Sequence, residues 1–411
     1  MRPRIPSRYL RLLKNTAALA IVKGSQFLVP VITLPLLLRT VGLEGYGVLN
    51  FALSVAQFLA VFVQYGFAIS ATRRISAARE DPHQINRIYS VTFATAGLMA
   101  GGGFLVYTLL LLQFQVFQQH FLIFLVCGAY LGIQALIPVW LFQGLERMGY
   151  IAWVHAGSRL LFIAGLFVLV RTREDLLWVP LLNLLAALMA LLTSLVLVSR
   201  SLNVHWQTFQ GREVLSTLQQ GRDVFISQLA PNLYKNFSVF MVGYVSPAAI
   251  VGAYSAALKL IEVAISIGTV VSNAVLPILA RNPSHHRAYS HGMLVLSLFI
   301  SVCLFVGSHW IVNLLMEAPA AELVYGIQVL SITVLFVFTY HTFGVNYLML
   351  RGQEHRVRNY NLAVSLGGFA LLLVSVPALG YQAALWIVFA NRLCIALLSY
   401  FMYRRHRRLP D

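Results

Sequence analysis

The sequence predicts an all-α integral membrane protein of twelve transmembrane helices in two six-helix bundles, with both termini cytoplasmic. Three observations predict it. Of the 411 residues, 59% are hydrophobic and only 10% charged, against roughly one half and one quarter in soluble domains. The apolar residues fall in long runs, and roughly 20 helical residues cross a hydrocarbon core of about 30 Å. The basic residues between the runs gather on one side of the resulting topology. Backbone polar groups cannot go unsatisfied in lipid, and barrel strands would be about ten residues long and alternate in polarity, so the runs are helices.

In chain order the spans are predicted at 16–38, 46–70, 89–112, 120–142, 150–170, 176–199, 224–245, 248–271, 292–315, 323–350, 359–379 and 382–403. Arg2, Arg4, Arg8, Arg11 and Lys14 precede the first span as they would in a signal peptide. That run is too long and lacks a small-residue cleavage site, so it reads as an uncleaved anchor. Pro30 and Pro35 in the first span and Pro231 in the seventh remove backbone hydrogen bonds and bend their helices, which marks those helices as moving parts. The connections on the amino-terminal side carry Arg73, Arg74, Arg79, Arg87, Arg147, Arg200, Arg212, Arg222, Arg281, Arg287, Arg351, Arg356 and Arg358. The opposite side holds only Arg39, Arg171 and Arg173, together with the acidic Glu317 and Glu322. Lys and Arg are retained in cytoplasmic loops, which fixes the orientation of an inner-membrane protein.

The longest polar connection, Arg200 to Arg222, divides the chain into an N-terminal bundle (1–199), a cytoplasmic linker (200–223) and a C-terminal bundle (224–411). A trace of duplication accompanies the division. Gly47-Val-Leu-Asn-Phe-Ala52-Leu53, entering the second span, resembles Gly252-Ala-Tyr-Ser-Ala-Ala257-Leu258, entering the eighth. Six helices return a chain to its starting side, so the halves would be parallel repeats, as in transporters that rock two bundles about a central site.

The formal charge of +17 would suggest nucleic acid on a soluble protein, but these bases occupy short gaps between apolar runs instead of one polar face, and no nucleic-acid partner is expected. Cys127, Cys303 and Cys394 lie within apolar runs and far apart, as small core residues with neither disulfide nor metal spacing. No acid/base pair, activated nucleophile or Walker sequence is present, so catalysis is not indicated and no cofactor is implied. His285-His286 reads as a solvated or headgroup-facing cytoplasmic segment, since one histidine pair is not a ligand set.

The charges inside the spans carry the functional argument. Five bases, Lys23, Arg159, Lys235, Lys259 and Arg392, face a single intramembrane acid, Glu262. Five unsolvated cations would cost on the order of 12–18 kcal/mol near a bilayer centre, more than the roughly 5–15 kcal/mol by which a protein is stable. Some of them must meet water, a counter-ion or a polar ligand, and a hydrated cationic cavity follows. Structural readings compete at each position. Lys23 is within snorkelling reach of the surface. Lys259 and Glu262, spaced i, i+3, can neutralise one another. Arg159 lies beside Ser158 and a turn from His155, and Arg392 beside Asn391 can brace a helix contact. Lys235, in Asn232-Leu-Tyr-Lys-Asn236 after Pro231, is the sharpest candidate for a cavity-facing role. Glu262, His341 and His155 are candidates for ion or proton coupling.

Several stretches are similar to the Wzx-type O-antigen flippases, the polysaccharide-transporter branch of the multidrug/oligosaccharidyl-lipid/polysaccharide exporter (MOP) superfamily. They are Leu12-Leu-Lys-Asn-Thr16, Leu34-Pro-Leu-Leu-Leu-Arg39, Gly42-Leu-Glu-Gly-Tyr-Gly47, Tyr65-Gly-Phe-Ala-Ile-Ser-Ala-Thr-Arg73, Trp140-Leu-Phe-Gln-Gly-Leu-Glu-Arg-Met148 and Leu350-Arg-Gly-Gln-Glu354. Their order and topological positions carry the resemblance, more densely in the first half. It implies a two-bundle fold of twelve helices and a cargo: an undecaprenyl-pyrophosphate-linked oligosaccharide moved from the cytoplasmic to the periplasmic leaflet. An O-antigen polymerase and a chain-length regulator become candidate partners. A pyrophosphate would be held by Lys235, Arg159, Arg392, Lys259 and Lys23 while the polyprenyl tail stays in lipid. Three alternatives remain at this point. A multidrug exporter would call for embedded acids, a membrane O-antigen polymerase or ligase for a large outer loop, and the third is a transport-inactive scaffold for polysaccharide-assembly enzymes.

Overall fold

The computed structural model describes residues 29–316 and 320–407, and the backbone alone of residues 227–235. The chain opens with α1 (Val29–Thr40). It continues through α2 (Gly42–Gln64), α3 (Phe67–Ala77), α4 (Pro82–Gln113), α5 (Gln115–Gln118), α6 (Phe121–Leu136), α7 (Val139–Gly144), α8 (Met148–Leu169) and α9 (Trp178–Arg200). Then come α10 (Gly211–Val245), α11 (Ala248–Arg281), α12 (His286–Val306), α13 (Ser308–Leu315), α14 (Ala321–Ser331), α15 (Thr333–Thr339), a π-helix (Tyr340–Leu348) and α16 (Glu354–Arg407). No strand occurs among the described residues. Nine helical stretches there are long and apolar enough to cross a membrane, and Val29–Thr40 and Asn236–Val245 are shorter apolar helices. Leu98, Leu105 and Leu109 share one exposed face of α4, the inside-out apolar surface of a multi-pass membrane protein.

Each predicted span from residue 46 onward falls on helix, with breaks that hydropathy alone does not show. The second span is interrupted at Tyr65–Gly66, the fourth at Ile137–Pro138 and the ninth at Gly307. The connection predicted at 200–223 is helical from Gly211 onward and continues into α10. Where helices begin, local chemistry is visible. The Asp81 carboxylate accepts from the His83 and Gln84 N–H groups ahead of α4, and Pro82 fills a position whose N–H would be unpaired. Asp175 accepts from the backbone N–H and hydroxyl of Thr172 at 2.9 Å before α9. Inside the helices, Ser90, Thr95 and Ser194 return their hydroxyls to the carbonyls of Asn86, Val91 and Ala190, which satisfies a donor that lipid could not.

The chain forms two compact units, Ala52–Asn232 and Pro30–Phe51 with Leu233–Asp411, so the division falls within α2 and within α10. In the first unit α6 packs between α4 and α9, α8 lies on α9, and α3 on α7. Phe67, Ile75, Trp140, Leu141, Phe142 and Ile151 form its core. The Tyr65 ring stacks on Phe225 of α10 at 4.5 Å between centroids. Of the predicted core cysteines, Cys127 is buried, whereas Cys303 and Cys394 sit on exposed apolar positions of α12 and α16.

In the second unit two helix contacts stand out. α16 is a hairpin whose 54 residues would be far longer than a bilayer if straight. Gly380 breaks it with φ 66, a conformation that a side chain disfavours. About that point the arms pair symmetrically, Gly368 against Asn391 and the Tyr360 hydroxyl with Ser399 Oγ at 2.7 Å. The second contact joins the two similar segments at Gly47 and Gly252. A Cβ on Gly47 would overlap the carbonyl oxygen of Ala248, and a Cβ on Gly252 would overlap that of Leu43. Each glycine therefore meets the carbonyl four residues before its counterpart, a pseudo-twofold crossing of α2 and α11 at backbone contact.

Candidate functional site

The embedded bases are placed by different helices. Lys23 lies outside the described residues, as do Glu317 and the side chains of Pro231 and Lys235, although the backbone at Lys235 is within α10. Arg159 is half-buried on α8, one turn from His155, whose ring lies within reach of its charge. Ser158 beside it donates to the His155 carbonyl at 3.0 Å. All three lie within one stretch of α8, and Arg159 joins none of the ion pairs among the described residues.

Lys259 and Glu262 are paired. Lys259 Nζ stands 3.7 Å from Glu262 Oε2, with the side chains 39% and 34% exposed. The i, i+3 spacing on α11 puts them on one face. They lie just beyond the fully buried run Val251–Ala257 that forms the glycine crossing, and Tyr46 of α2 is within electrostatic reach of Glu262. Arg392 is half-buried on the second arm of α16, where its guanidinium donates to Thr333 Oγ1 at 2.7 Å. Its neighbour Asn391 is buried, and the side-chain amide nitrogen pressed against Gly368 has no hydrogen-bond partner. Lys259 with Glu262, Arg392 and the backbone of Lys235 belong to the second unit, and Arg159 and His155 to the first.

The structure adds a polar cluster around the π-helix that the spans did not reveal. Asn346 donates to Tyr289 Oη at 2.7 Å and to the Ser272 carbonyl at 3.2 Å, and accepts from Ser272 Oγ at 3.2 Å. His341 Nε2 lies 3.4 Å from Thr269 Oγ1. His286 is the largest departure from expectation. Its place beside His285 reads as a solvated loop, but α12 begins at His286 and turns the ring inward, where it is 5% exposed. There it is ringed by Tyr289, Phe343, Tyr347 and Tyr403, and its Nε2–H donates to the Thr342 carbonyl at 3.0 Å. The usable signal was the run Tyr340-His-Thr-Phe-Gly-Val-Asn-Tyr-Leu348, too polar for a helix facing only lipid. Among the described residues no group of three or more His, Cys, Asp or Glu is disposed to hold a metal.

Comparison with known proteins places the chain in a family. Residues 12–283 match the sequence family described as "Polysaccharide biosynthesis protein". A curated candidate O-antigen transporter of Escherichia coli (strain K12) is 30% identical over 249 residues, a match that spans 60% of either chain. A second, from Shigella dysenteriae, is 26% identical over 65% of this chain and 67% of its own length. Among solved structures, the lipid II flippase MurJ in an inward closed conformation superposes with a TM-score of 0.70 at 12% identity, covering 93% of this chain and 87% of that one. An inward-facing multidrug resistance MATE family transporter of the MOP superfamily superposes with 0.63 at 10% identity, covering 92% and 98%. At those identities the likeness is one of fold.

Proposed function

We propose that this chain, which belongs to the polysaccharide biosynthesis protein family, is a flippase that moves undecaprenyl-pyrophosphate-linked O-antigen units across the bacterial inner membrane. In this reading twelve spans form two six-helix bundles with both termini cytoplasmic. Cargo passes by alternating access from the cytoplasmic to the periplasmic leaflet. The sequence relatives named for O-antigen transport and the fold shared with a lipid II flippase support the cargo class.

The observation that carries the reading is the chemistry of the embedded charges. The one embedded acid, Glu262, is already engaged by Lys259, which leaves little negative charge for a cationic cargo. Arg392, on a membrane helix, has the Thr333 hydroxyl among its partners. A guanidinium suits a phosphate-bearing headgroup, since charge-assisted hydrogen bonds to phosphate are short, directional and stronger away from water. Lys235, Arg159 and Arg392 are the principal binding residues, with Lys259 and Lys23 as further contributors. Glu262, His341 and His155 are candidates for coupling. An O-antigen polymerase and a chain-length regulator would act on the product.

The test is charge removal. In a strain that lacks the gene, Lys235→Ala should lower surface O-antigen several-fold and Lys235→Glu should abolish it. Lipid-linked single repeat units, identified by mass spectrometry, should accumulate. If both variants complement fully, the role of Lys235 is wrong. If the deletion strain instead accumulates long unligated polymer, the flippase reading itself fails.

A further inference from the structure

A feature outside the transport argument lies in the unit Ala52–Asn232. A cleft of about 1020 Å³ opens there at the start of α8, lined by Arg79, Glu146, Arg147, Tyr150, Trp153 and Asn203 among others. Its wall is set by one ion pair. Arg79 bonds Glu146 at 2.9 Å and donates twice to the Gly144 carbonyl, at 3.2 and 2.8 Å, so these charges cancel and hold the 144–147 turn. Glu146 and Asn203, both in the lining, take the left-handed backbone conformation with φ 56 and 52, a cost that surrounding structure must repay.

Arg147 is different. It is exposed and takes part in none of the ion pairs among the described residues, which leaves the lining with one uncompensated positive charge. Trp153 follows it on α8, about 9 Å further along the axis at the helical rise, and its side chain is 82% exposed. Met148–Leu169 is apolar enough to span a membrane, and an indole that open in its second turn belongs at the boundary between headgroups and hydrocarbon. Tyr150 lies between the two. The cleft thus has a cationic end facing water and an aromatic end facing lipid.

We infer that this cleft binds an anionic phospholipid, its phosphodiester on Arg147 and its glycerol and upper acyl segment against Tyr150 and Trp153. A single negative charge complements the net charge of the lining. The ammonium of a zwitterionic lipid would be repelled by Arg147, and a free phosphate would gain nothing from the indole. The site is independent of the transported cargo.

Tryptophan quenching tests it in the full-length protein, reconstituted in phosphatidylethanolamine vesicles that contain a minority of phosphatidylglycerol, with bromine on the chains of one lipid or the other. Measurement of Trp153→Phe in parallel isolates the contribution of that indole. Per mole of brominated lipid, phosphatidylglycerol should quench Trp153 about fivefold more than phosphatidylethanolamine, the enrichment that one guanidinium at an anionic surface supports. The ratio should fall to about one in Arg147→Gln and return in Arg147→Lys, which separates loss of charge from loss of fold. Equal quenching by both lipids in the unaltered protein, or a ratio unchanged in Arg147→Gln, overturns the site. Displacement of the lipid signal by inorganic phosphate alone overturns the lipid as its ligand.

Discussion

The crossing of α2 with α11 and the π-helical segment Tyr340–Leu348 bring helices together by opposite means. At the crossing, Gly47 and Gly252 let backbones touch, and the flanking run Val251–Ala257 is buried without interruption. At the π-helix the coil is widened, and side-chain amide, hydroxyl and imidazole groups reach across to α11 and α12. Lipid tails are as apolar as leucine, so no hydrophobic gain drives helices together within a membrane, and association falls to close packing or to hydrogen bonds. The first device is sensitive to volume and the second to the loss of a partner. That difference is measurable.

The largest effect is expected at the crossing. Gly252→Leu or Gly47→Val would drive a side chain into a carbonyl of the facing helix, and both helices would have to part. Overpacking of this kind costs about 3 kcal/mol, which should appear as a large drop in the detergent unfolding midpoint. Gly252→Ala should already be damaging, because the first atom added is the one that overlaps the Leu43 carbonyl. A Gly252→Ala protein as stable as the parent would show that α2 and α11 do not meet at backbone contact. The π-helical cluster should respond less. Asn346→Leu keeps the branched shape but removes the amide that bonds the Tyr289 hydroxyl, the Ser272 hydroxyl and the Ser272 carbonyl, a loss of about 1–2 kcal/mol. Stability equal to the parent in the same assay would mean that water replaces the amide, and that the cluster is wetter than its burial indicates.

These two regions also divide what the sequence made legible. Run length alone locates the helices, since a hydrocarbon core sets one length scale. Gly380, between two apolar runs, separates the last pair where the structure breaks α16. The similarity of the segments at Gly47 and Gly252 is visible in the chain, and it marks the contact, but only coordinates show each glycine against the other's carbonyl. The Lys259–Glu262 pair follows from helical spacing. Arg392 with Thr333 does not, because the partners are 59 residues apart and no local period connects them. His286 was opaque for a related reason: composition reads a histidine pair as loop, whereas the helix start decides which ring turns inward. The break at Pro138 and the helical continuation of α10 back to Gly211 were hidden because hydropathy reports solvent and not backbone geometry.

The smallest effect lies at the edge of the first unit, where contacts face water. Arg87 Nε, near the start of α4, donates to Glu213 Oε2 at 2.8 Å, and the Gln210 N–H donates to the other carboxylate oxygen at 3.0 Å ahead of α10. The Arg87 hydrogen bond, followed by that backbone donor, holds the Glu213 carboxyl below its ordinary range. The sign follows from linkage. A carboxyl depressed in the folded state contributes stability that is fully present above its unfolded value, about 4.3, and is lost as pH falls through the folded value. Exposure and screening keep such a pair weak, so Glu213→Gln should leave stability near pH 7 almost unaltered while removing a small acid-side decline that the parent shows below about pH 4. Arg87→Gln should remove most of the same decline. If both variants retain the full decline, Glu213 is not clasped by Arg87, and the start of α10 is held through the Arg74–Thr217 contact with α3 instead.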